Sequence, residues 1–488
     1  MPPTLYISSS RGEGMNKIAK RILGIALTAF LLVGAISGLT KLTENKNIST
    51  RISPVFDYAD TVDVLCFGSS NVFDAISPME MYENYGITAY NCGSAASTIP
   101  ASYWMMMNML DYVEPKVIIL DCYKLGYESA IKGYAATVYL DIFPISVTKI
   151  NAIMDFRNMG ISNEEAFALL MPLSGYHSRW SELEQEDFNP EYKALLKGSQ
   201  MVINVATPEV QDSPTDKVID NVEDSWGVNY LIKFIEECKQ RDIKLLLVHL
   251  PFPATEDNYM DANTAQLIAD EYGVDFINFL TMGLTDYDTD MFDTGTHSNP
   301  SGQKKISEYL ANYIAENYNI PDRRGENGYE QWDEDLPEYI EYKQSILEEE
   351  RYLNNMLMLL RDRDFSSLLI IDEKSQVYDN ELVMELIRNA AWDNELPELS
   401  RAQENGESYA LLIDNVNGTV TEITAQDLVS RDGLSFIDGV VYLNGEIVSA
   451  QSSDDTPDME CYVLPDSDWT QAFEHSFWLT DEGFVKKY

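Results

Sequence analysis

The stretch Val62-Asp63-Val64-Leu65-Cys66-Phe67-Gly68-Ser69-Ser70-Asn71 decides how this chain is read. Its first six residues have the pattern of a buried strand, and Gly-Ser-Ser-Asn then breaks the strand with a turn. A continuous apolar run comes next at Val117–Asp121, as expected for a strand covered on both faces. Ala89–Asn91, Lys244–Leu250 and Val274–Asn278 read as further strands. Helical patterns fall between them. Ser77-Pro78-Met79-Glu80 has an N-cap serine, proline at the first position and a glutamate placed to complete a capping box. Ser102–Tyr112 reads as a Met-rich helix, Leu231–Arg241 and Asp261–Tyr272 as two more. Ser301–Asn317 closes the series with Ile306, Leu310, Tyr313 and Ile314 on one face.

Strands alternating with helices imply an α/β fold with a parallel sheet and right-handed crossovers. The expected architecture is a flavodoxin-like three-layer domain over residues 55–320. An insertion at about 125–225 interrupts its rhythm and would cover the site. The insertion contains the cluster Tyr176-His177-Ser178-Arg179-Trp180.

Upstream, residues 1–21 read as a cytoplasmic N-terminus, 22–40 as a transmembrane signal-anchor and 41–54 as a polar stalk. The nineteen uncharged residues Ile22–Thr40 would span about 28 Å as a helix, close to a bilayer core. Basic residues flank both ends, Arg11, Lys17, Lys20 and Arg21 before and Lys41, Lys46 and Arg51 after. The N-terminal position favours a single-pass anchor with the bulk of the chain outside the cell. A cleaved signal peptide is the rival, with small residues at Ala35 and Ser37.

Downstream, Pro321 to about Asp335 reads as an acidic linker, with a helix after it at about 338–361. From Asp364 the pattern turns β-rich, at Ser366–Asp372, Ser408–Asp414, Thr419–Ile423 and Val440–Leu443. Residues 355–488 therefore read as a small, sandwich-like C-terminal domain, with 321–354 joining it to the first.

The 488 residues carry 80 acidic against 34 basic side chains, a formal charge of −46, which argues against nucleic acid or anionic lipid as a partner of the folded part. No calcium-loop spacing is present, and nothing in the sequence calls for a metal or another cofactor. The five cysteines, Cys66, Cys92, Cys122, Cys238 and Cys461, form no CxxC pair and no disulfide framework.

The chemistry concentrates in two places. Ser70 leaves the carboxyl end of the first strand, where open α/β sheets present ligands, and its own N–H would be a first oxyanion donor. Far downstream, Asp293-Thr294-Gly295-Thr296-His297-Ser298-Asn299-Pro300-Ser301-Gly302 opens the last helix. Acyl transfer needs a nucleophile, a base, a group to orient the base and donors for the oxyanion. Ser70, His297 and Asp293 can fill the first three roles, with Asp290 close enough to compete for the third. Ser298 or Asn299 would cap the helix and fix the loop. Asn71, His177, Arg179 and His249 are candidates to contact substrate or the oxyanion.

Residues of about 60–318 resemble the SGNH/GDSL hydrolase superfamily, and most of all its membrane-anchored branch of D-alanine transfer and alginate O-acetylation proteins. Gly68-Ser69-Ser70 matches the nucleophile block, and Asp293 with His297 matches the Asp-x-x-His block with one residue more between them. The resemblance places an oxyanion donor near Gly93 or Ala96, in Asn91-Cys92-Gly93-Ser94-Ala95-Ala96-Ser97-Thr98. The family's Gly-x-Asn-Asp block is missing; Asp121-Cys122-Tyr123-Lys124 stands in its place. The resemblance implies a serine-dependent esterase or O-acyltransferase acting on a cell-surface glycan or cell-wall polymer. The missing block leaves a second reading open, a non-catalytic scaffold or carbohydrate-binding surface protein. Leu360–Ile371, Ser408–Asp414, Val441–Gly445 and Met459–Leu464 resemble the interleukin-like EMT inducer (PANDER) domain, which implies a carbohydrate- or partner-binding role without a catalytic set.

Overall fold

The computed structural model describes residues 10–44, 46–126, 137–176, 178–188, 194–209, 212–373, 375–424, 429–431, 434–437, 440–443, 446–447, 456–464 and 472–486. The chain enters through α1 (Ser10–Thr43), which from Leu23 to Leu39 leaves its large apolar side chains, among them Leu23, Ile25 and Phe30, in the open. Ala19–Thr43 is long and apolar enough to cross a membrane. Only its last turn is covered, at Thr40, Leu42 and Thr43.

Residues 41–54 are not a free stalk. They turn into α2 (Lys46–Arg51) and join the core, with Ile48, Ile52 and Val55 buried. Arg51 is 4% exposed. Its guanidinium donates to the Gly198 and Gly93 carbonyls at 2.5 and 2.7 Å and lies over the Phe73 ring. The segment looks like a polar tether in the sequence because these partners are far away along the chain.

Five strands form the main sheet: β1 (Val64–Phe67), β2 (Ala89–Asn91), β3 (Val117–Asp121), β4 (Lys244–His249) and β5 (Asp275–Asn278). They lie in the order β2-β1-β3-β4-β5, and every pairing is parallel. This is the flavodoxin-like order, with β1 beside the point where the winding reverses. Successive side chains face opposite layers. Val64, Cys66, Val117 and Ile119 pack with Val72, Ile306 and Leu310. Leu65, Phe67, Ile118 and Leu120 pack with Met105, Met106 and Phe234 on the other side.

The first helices of these layers are α3 (Ser70–Ala75), α4 (Pro78–Tyr85) and α5 (Ile99–Met109). The insertion comes after β3 and carries α6 (Val147–Asn158), α7 (Asn163–Leu170), α8 (Pro172–Tyr176) and α9 (Gln185–Phe188), with no strand among its described residues. Beyond it, α10 (Trp226–Gln240), α11 (Glu256–Tyr272) and α12 (Pro300–Asn317) complete the layers. Ser77 caps α4, accepting from Glu80 N, but Glu80 does not close the expected box. Its carboxylate takes Lys304 at 2.6 Å and the Tyr339 hydroxyl at 2.9 Å instead.

The expected linker is also packed. Arg323 pairs with Asp63 at 2.7 Å, and Trp332 is fully buried between Tyr58 and Tyr82. The single helix expected next is two: α13 (Glu330–Glu349), which begins before the expected Glu338 and carries Pro337 within it, and α14 (Leu353–Leu359). Lys343 of α13, Lys304 of α12, Glu80 of α4 and Asp362 make a buried ionic cluster that joins the two halves of the chain.

The C-terminal region is β-rich but not a sandwich. Its large sheet holds β6 (Ser366–Ile371), β7 (Tyr409–Asp414), β8 (Thr419–Thr424), β13 (Met459–Leu464), β14 (Phe473–Thr480) and β15 (Gly483–Lys486). The small one holds β9 (Val429–Arg431), β10 (Leu434–Ile437), β11 (Val440–Leu443) and β12 (Glu446–Ile447). The large sheet is antiparallel, ordered β15-β14-β13-β6-β7-β8. Its core face is covered by α15 (Glu381–Ala390) and α16 (Pro397–Asn405), with Met384, Ile387 and Leu399 against Leu369, Leu411 and Cys461. A sandwich would need a second sheet on this face. Two short amphipathic helices take its place, and their few turns carry too weak a period to stand out among the strands.

Candidate active site

The turn after β1 is built for close approach. Gly68 has φ +151, and a Cβ there would fall 2.4 Å from Val72 Cγ2 and 3.0 Å from Asp121 Cβ. Ser69 then caps α3, its hydroxyl accepting from Asn71 N. Ser70 is thereby held at the first position of the helix, at the carboxyl edge of the sheet.

The loop before α12 reaches the same place. Asn299 caps that helix by accepting from Ser301 N and Gly302 N, and its amide donates to the Thr289 carbonyl at 2.8 Å. His297 Nε2 lies 2.7 Å from Ser70 Oγ, and His297 Nδ1 lies 2.6 Å from Asp293 Oδ2. Asp293 Oδ1 also accepts from Gly295 N and His297 N, at 3.0 and 3.2 Å. The extra residue between Asp293 and His297 is thus absorbed in a turn closed by the carboxylate itself. Burial pushes the Asp293 pKa up, but the His297 hydrogen bond and the two backbone donors outweigh it and hold the carboxyl below its ordinary value. Phe292 stacks on the imidazole, 5.4 Å between centroids.

Asp290, the competing carboxylate, is fully buried and engaged elsewhere. It pairs with Lys305 at 2.8 Å and accepts from Ser301 Oγ at 2.7 Å. The end of the insertion braces the loop: Ala206 N donates to the Met291 carbonyl and the Asn204 amide to that of Phe292.

The other site candidates separate clearly. Gly93 N donates to Asn91 Oδ1 at 3.0 Å, so this N–H is occupied, and Asn91 Nδ2 ties the same loop to the Val72 and Ile76 carbonyls. Ala96 is exposed with φ 57, a left-handed conformation that alanine holds only under constraint. Its loop is fastened to the nucleophile turn by Ser94 N donating to the Gly68 carbonyl at 3.0 Å. Asn71 is 2% exposed. Its Oδ1 accepts from Thr296 Oγ1 at 3.3 Å, and its Nδ2 has no partner.

Two expectations are corrected. His249 is fully buried, with Nδ1 at 3.2 Å from the Leu250 carbonyl and its ring against Tyr123 and Phe252. Burial pushes it down to about 4, so it is a neutral core residue and lines no cleft. Arg179 spends its guanidinium on the Thr43 and Glu44 carbonyls and on Asp187, and so fastens the end of α1 rather than meeting a substrate. His177 lies outside the described residues.

No protein-family model matches the chain, and no curated protein matches it. Among solved structures, a Bacteroides fragilis protein named as an acylhydrolase is similar over 53% of this chain and 87% of its own, at 10% identity and a TM-score of 0.27. A Desulfitobacterium hafniense protein named as a lipolytic protein of the G-D-S-L family is similar over 52% and 98%, at 12% identity and the same TM-score of 0.27. Likeness this distant carries no function, and the side-chain geometry has to.

That geometry includes a group absent from the sequence-based candidates. Asp74 Oδ2 lies 3.9 Å from His297 Nε2, its side chain is almost wholly buried, and Asp74 Oδ1 has no partner. Burial pushes its pKa up to about 8; Asp293 adds to the rise and Arg51 opposes it. The signal was available in the helix period, because Asp74 is four residues after Ser70 and so shares its face of α3.

Thr296 also opens onto a cavity of about 610 Å³ lined by Tyr123, Lys124, Phe252, Asp257 and Asn258. The cavity therefore begins one residue from His297 and, through the Thr296–Asn71 hydrogen bond, one residue from Ser70. Tyr123 and Lys124, which stand in place of the missing Asn block, form part of its wall.

Proposed function

We propose that the chain is a membrane-anchored, SGNH-type acyl esterase or O-acyltransferase that acts on an ester of a cell-surface glycan or cell-wall polymer. The observation that carries the proposal is the unbroken relay Asp293–His297–Ser70, at 2.6 and 2.7 Å. In this reading His297 removes the Ser70 proton as Oγ attacks the ester carbonyl. Asp293 holds the imidazole tautomer and stabilises the cation that forms. The tetrahedral oxyanion is met by Ser70 N–H and by Asn71 Nδ2, which takes over from the side-chain donor absent at the end of β3. Collapse expels the alcohol, which receives the proton from His297 and leaves an acyl-serine. A second alcohol or water, deprotonated by His297, then takes the acyl group and restores Ser70. The cavity at Thr296 is where the glycan, as leaving group or acceptor, would sit.

Support for a non-catalytic scaffold comes from the missing donor block. An intact relay beside an unpartnered amide and an open cavity weighs against it. Hydrolysis of p-nitrophenyl acetate by the purified full chain tests the proposal. Wild type is expected to release p-nitrophenol with saturation, and Ser70→Ala to fall to background; equal rates would contradict it.

A further inference from the structure

The elements that receive the end of α1, α8 and α9, and the helix α7 packed on α8 carry an unusual surface. Phe167 and Leu170 of α7, Met171 before α8, Trp180 beside Arg179, and Phe188 of α9 are 56, 37, 40, 72 and 59% exposed. Large apolar side chains gathered on neighbouring helices mark an interaction surface. We propose that this face of the insertion, α7 to α9 with Trp180, rests on the outer leaflet of the bilayer that α1 crosses, so that the body lies against the lipid rather than standing off on a tether.

The way α1 is held identifies the occupant. Arg179 Nη1 donates to the carbonyls of Thr43 and Glu44, at 3.0 and 2.5 Å, and its Nη2 pairs with Asp187 of α9 at 3.0 Å. The Thr43 and Glu44 carbonyls at the end of the helix, which would otherwise need water or a cap, are bound to the insertion. Helices α8 and α9 pack on α1, and the covered part of α1 is its last turn. Leu39 is still half exposed, while Ile48, nine positions on, is in the core. Among the described residues, Glu44 at the end of the span and Lys46 at the start of α2 already touch the body or each other, which leaves the two little room to separate. The apolar face therefore sits at the level where the span leaves the hydrocarbon. Tryptophan, with an apolar body and one N–H, is the side chain best suited to that level.

The charge beside the face selects the kind of lipid contact. Glu164, Glu182 and Glu184 are exposed there, so attraction to anionic headgroups is not the driving force. Apolar insertion into the headgroup boundary is. The proposal rests on reading α1 as a retained anchor and is independent of the acyl chemistry.

The test uses the full chain in phosphatidylcholine vesicles, with and without phosphatidylglycerol. The five native cysteines are all buried, so a polarity-sensitive thiol dye reports only on an introduced site. Phe167→Cys and Trp180→Cys place the dye on the face. Val416→Cys, at a residue 66% exposed in the C-terminal region, is the control. All three side chains are exposed, so the substitutions spare the core. The expected result is several-fold stronger quenching by spin-labelled lipid at 167 and 180 than at 416, unchanged by phosphatidylglycerol and unchanged in Ser70→Ala. Equal quenching at the three sites would overturn the proposal. Failure of the full chain to float with the vesicles would overturn it too, by removing the anchor, while leaving the esterase reading intact.

Discussion

His297 Nε2 lies 2.7 Å from Ser70 Oγ although 227 residues separate them in the chain. The parallel sheet makes this contact, because β1 ends in the turn that presents Ser70 and the cap of α12 fixes the loop that presents His297. Replacing either residue by alanine is expected to lower kcat by about 10⁴-fold or more, and Asp293→Asn by about 10²–10⁴-fold, with the melting transition little changed. Steady-state hydrolysis of p-nitrophenyl acetate measures this. A His297→Ala protein with wild-type kcat would remove the imidazole from the mechanism.

The Asn71 amide is predicted to act on the transition state and not on the ground state. Asn71→Ala should lower kcat by about 10²–10³-fold while KM moves little. Asn71→Asp keeps the shape and the acceptor for Thr296 but removes the donor, and should lose as much. Affinity for an alkyl boronic acid, which forms a tetrahedral adduct on serine, should fall with kcat in both variants. An unchanged kcat with a raised KM would assign Asn71 to substrate binding instead.

Asp74 gives the site a dependence on pH. Its folded pKa, about 8, lies above the ordinary carboxylate value, so the folded chain holds this proton more tightly than the unfolded one. The associated stability is present at low pH and is lost as pH rises from about 4 through 8. Asp74→Asn is therefore expected to be more stable than wild type at pH 9 and nearly equal to it at pH 4, by denaturant unfolding. Ionised Asp74 also opposes a nearby oxyanion. Wild-type kcat/KM should decline above about pH 8, and Asp74→Asn should flatten that limb. Identical profiles would show that Asp74 does not face the reacting groups.

Arg51 should matter to stability out of proportion to its place at the edge of the fold. Arg51→Met leaves the Gly93 and Gly198 carbonyls without their donor and removes the positive charge that opposes the raised pKa of Asp74. A loss of about 2–5 kcal/mol is expected in denaturant unfolding. A loss below about 0.5 kcal/mol, the usual effect of a surface change, would mean that the loop from Gly93 to Ala96 holds without it.

The main sheet is legible in the sequence because its central strands, β1, β3 and β4, are short apolar runs, and such runs declare themselves locally. Ser70 and His297 are legible for a related reason: each sits at a recognisable strand or helix boundary. The groups around them are not. Arg51 looks like part of a polar tether until its carbonyl partners, 42 and 147 residues on, are in place. Glu80 looks like a capping residue until Lys304 and Tyr339 arrive from 224 and 259 residues away. Arg179 reads as a substrate contact because two of its partners, the Thr43 and Glu44 carbonyls at the end of α1, are backbone groups that no side-chain pattern records. Trp332 is hidden within a segment whose acidity suggests a linker. In each case the local pattern is right about polarity and silent about the distant partner.

The most direct test of the whole account is labelling of the full chain with a fluorophosphonate, which phosphonylates only a serine activated by its neighbours. The account predicts rapid labelling of wild type, none of Ser70→Ala, and strongly slowed labelling of His297→Ala, with the modified peptide mapping to Gly68-Ser69-Ser70-Asn71. Equal labelling of wild type and Ser70→Ala, or none of either in protein with its native fold, would contradict it.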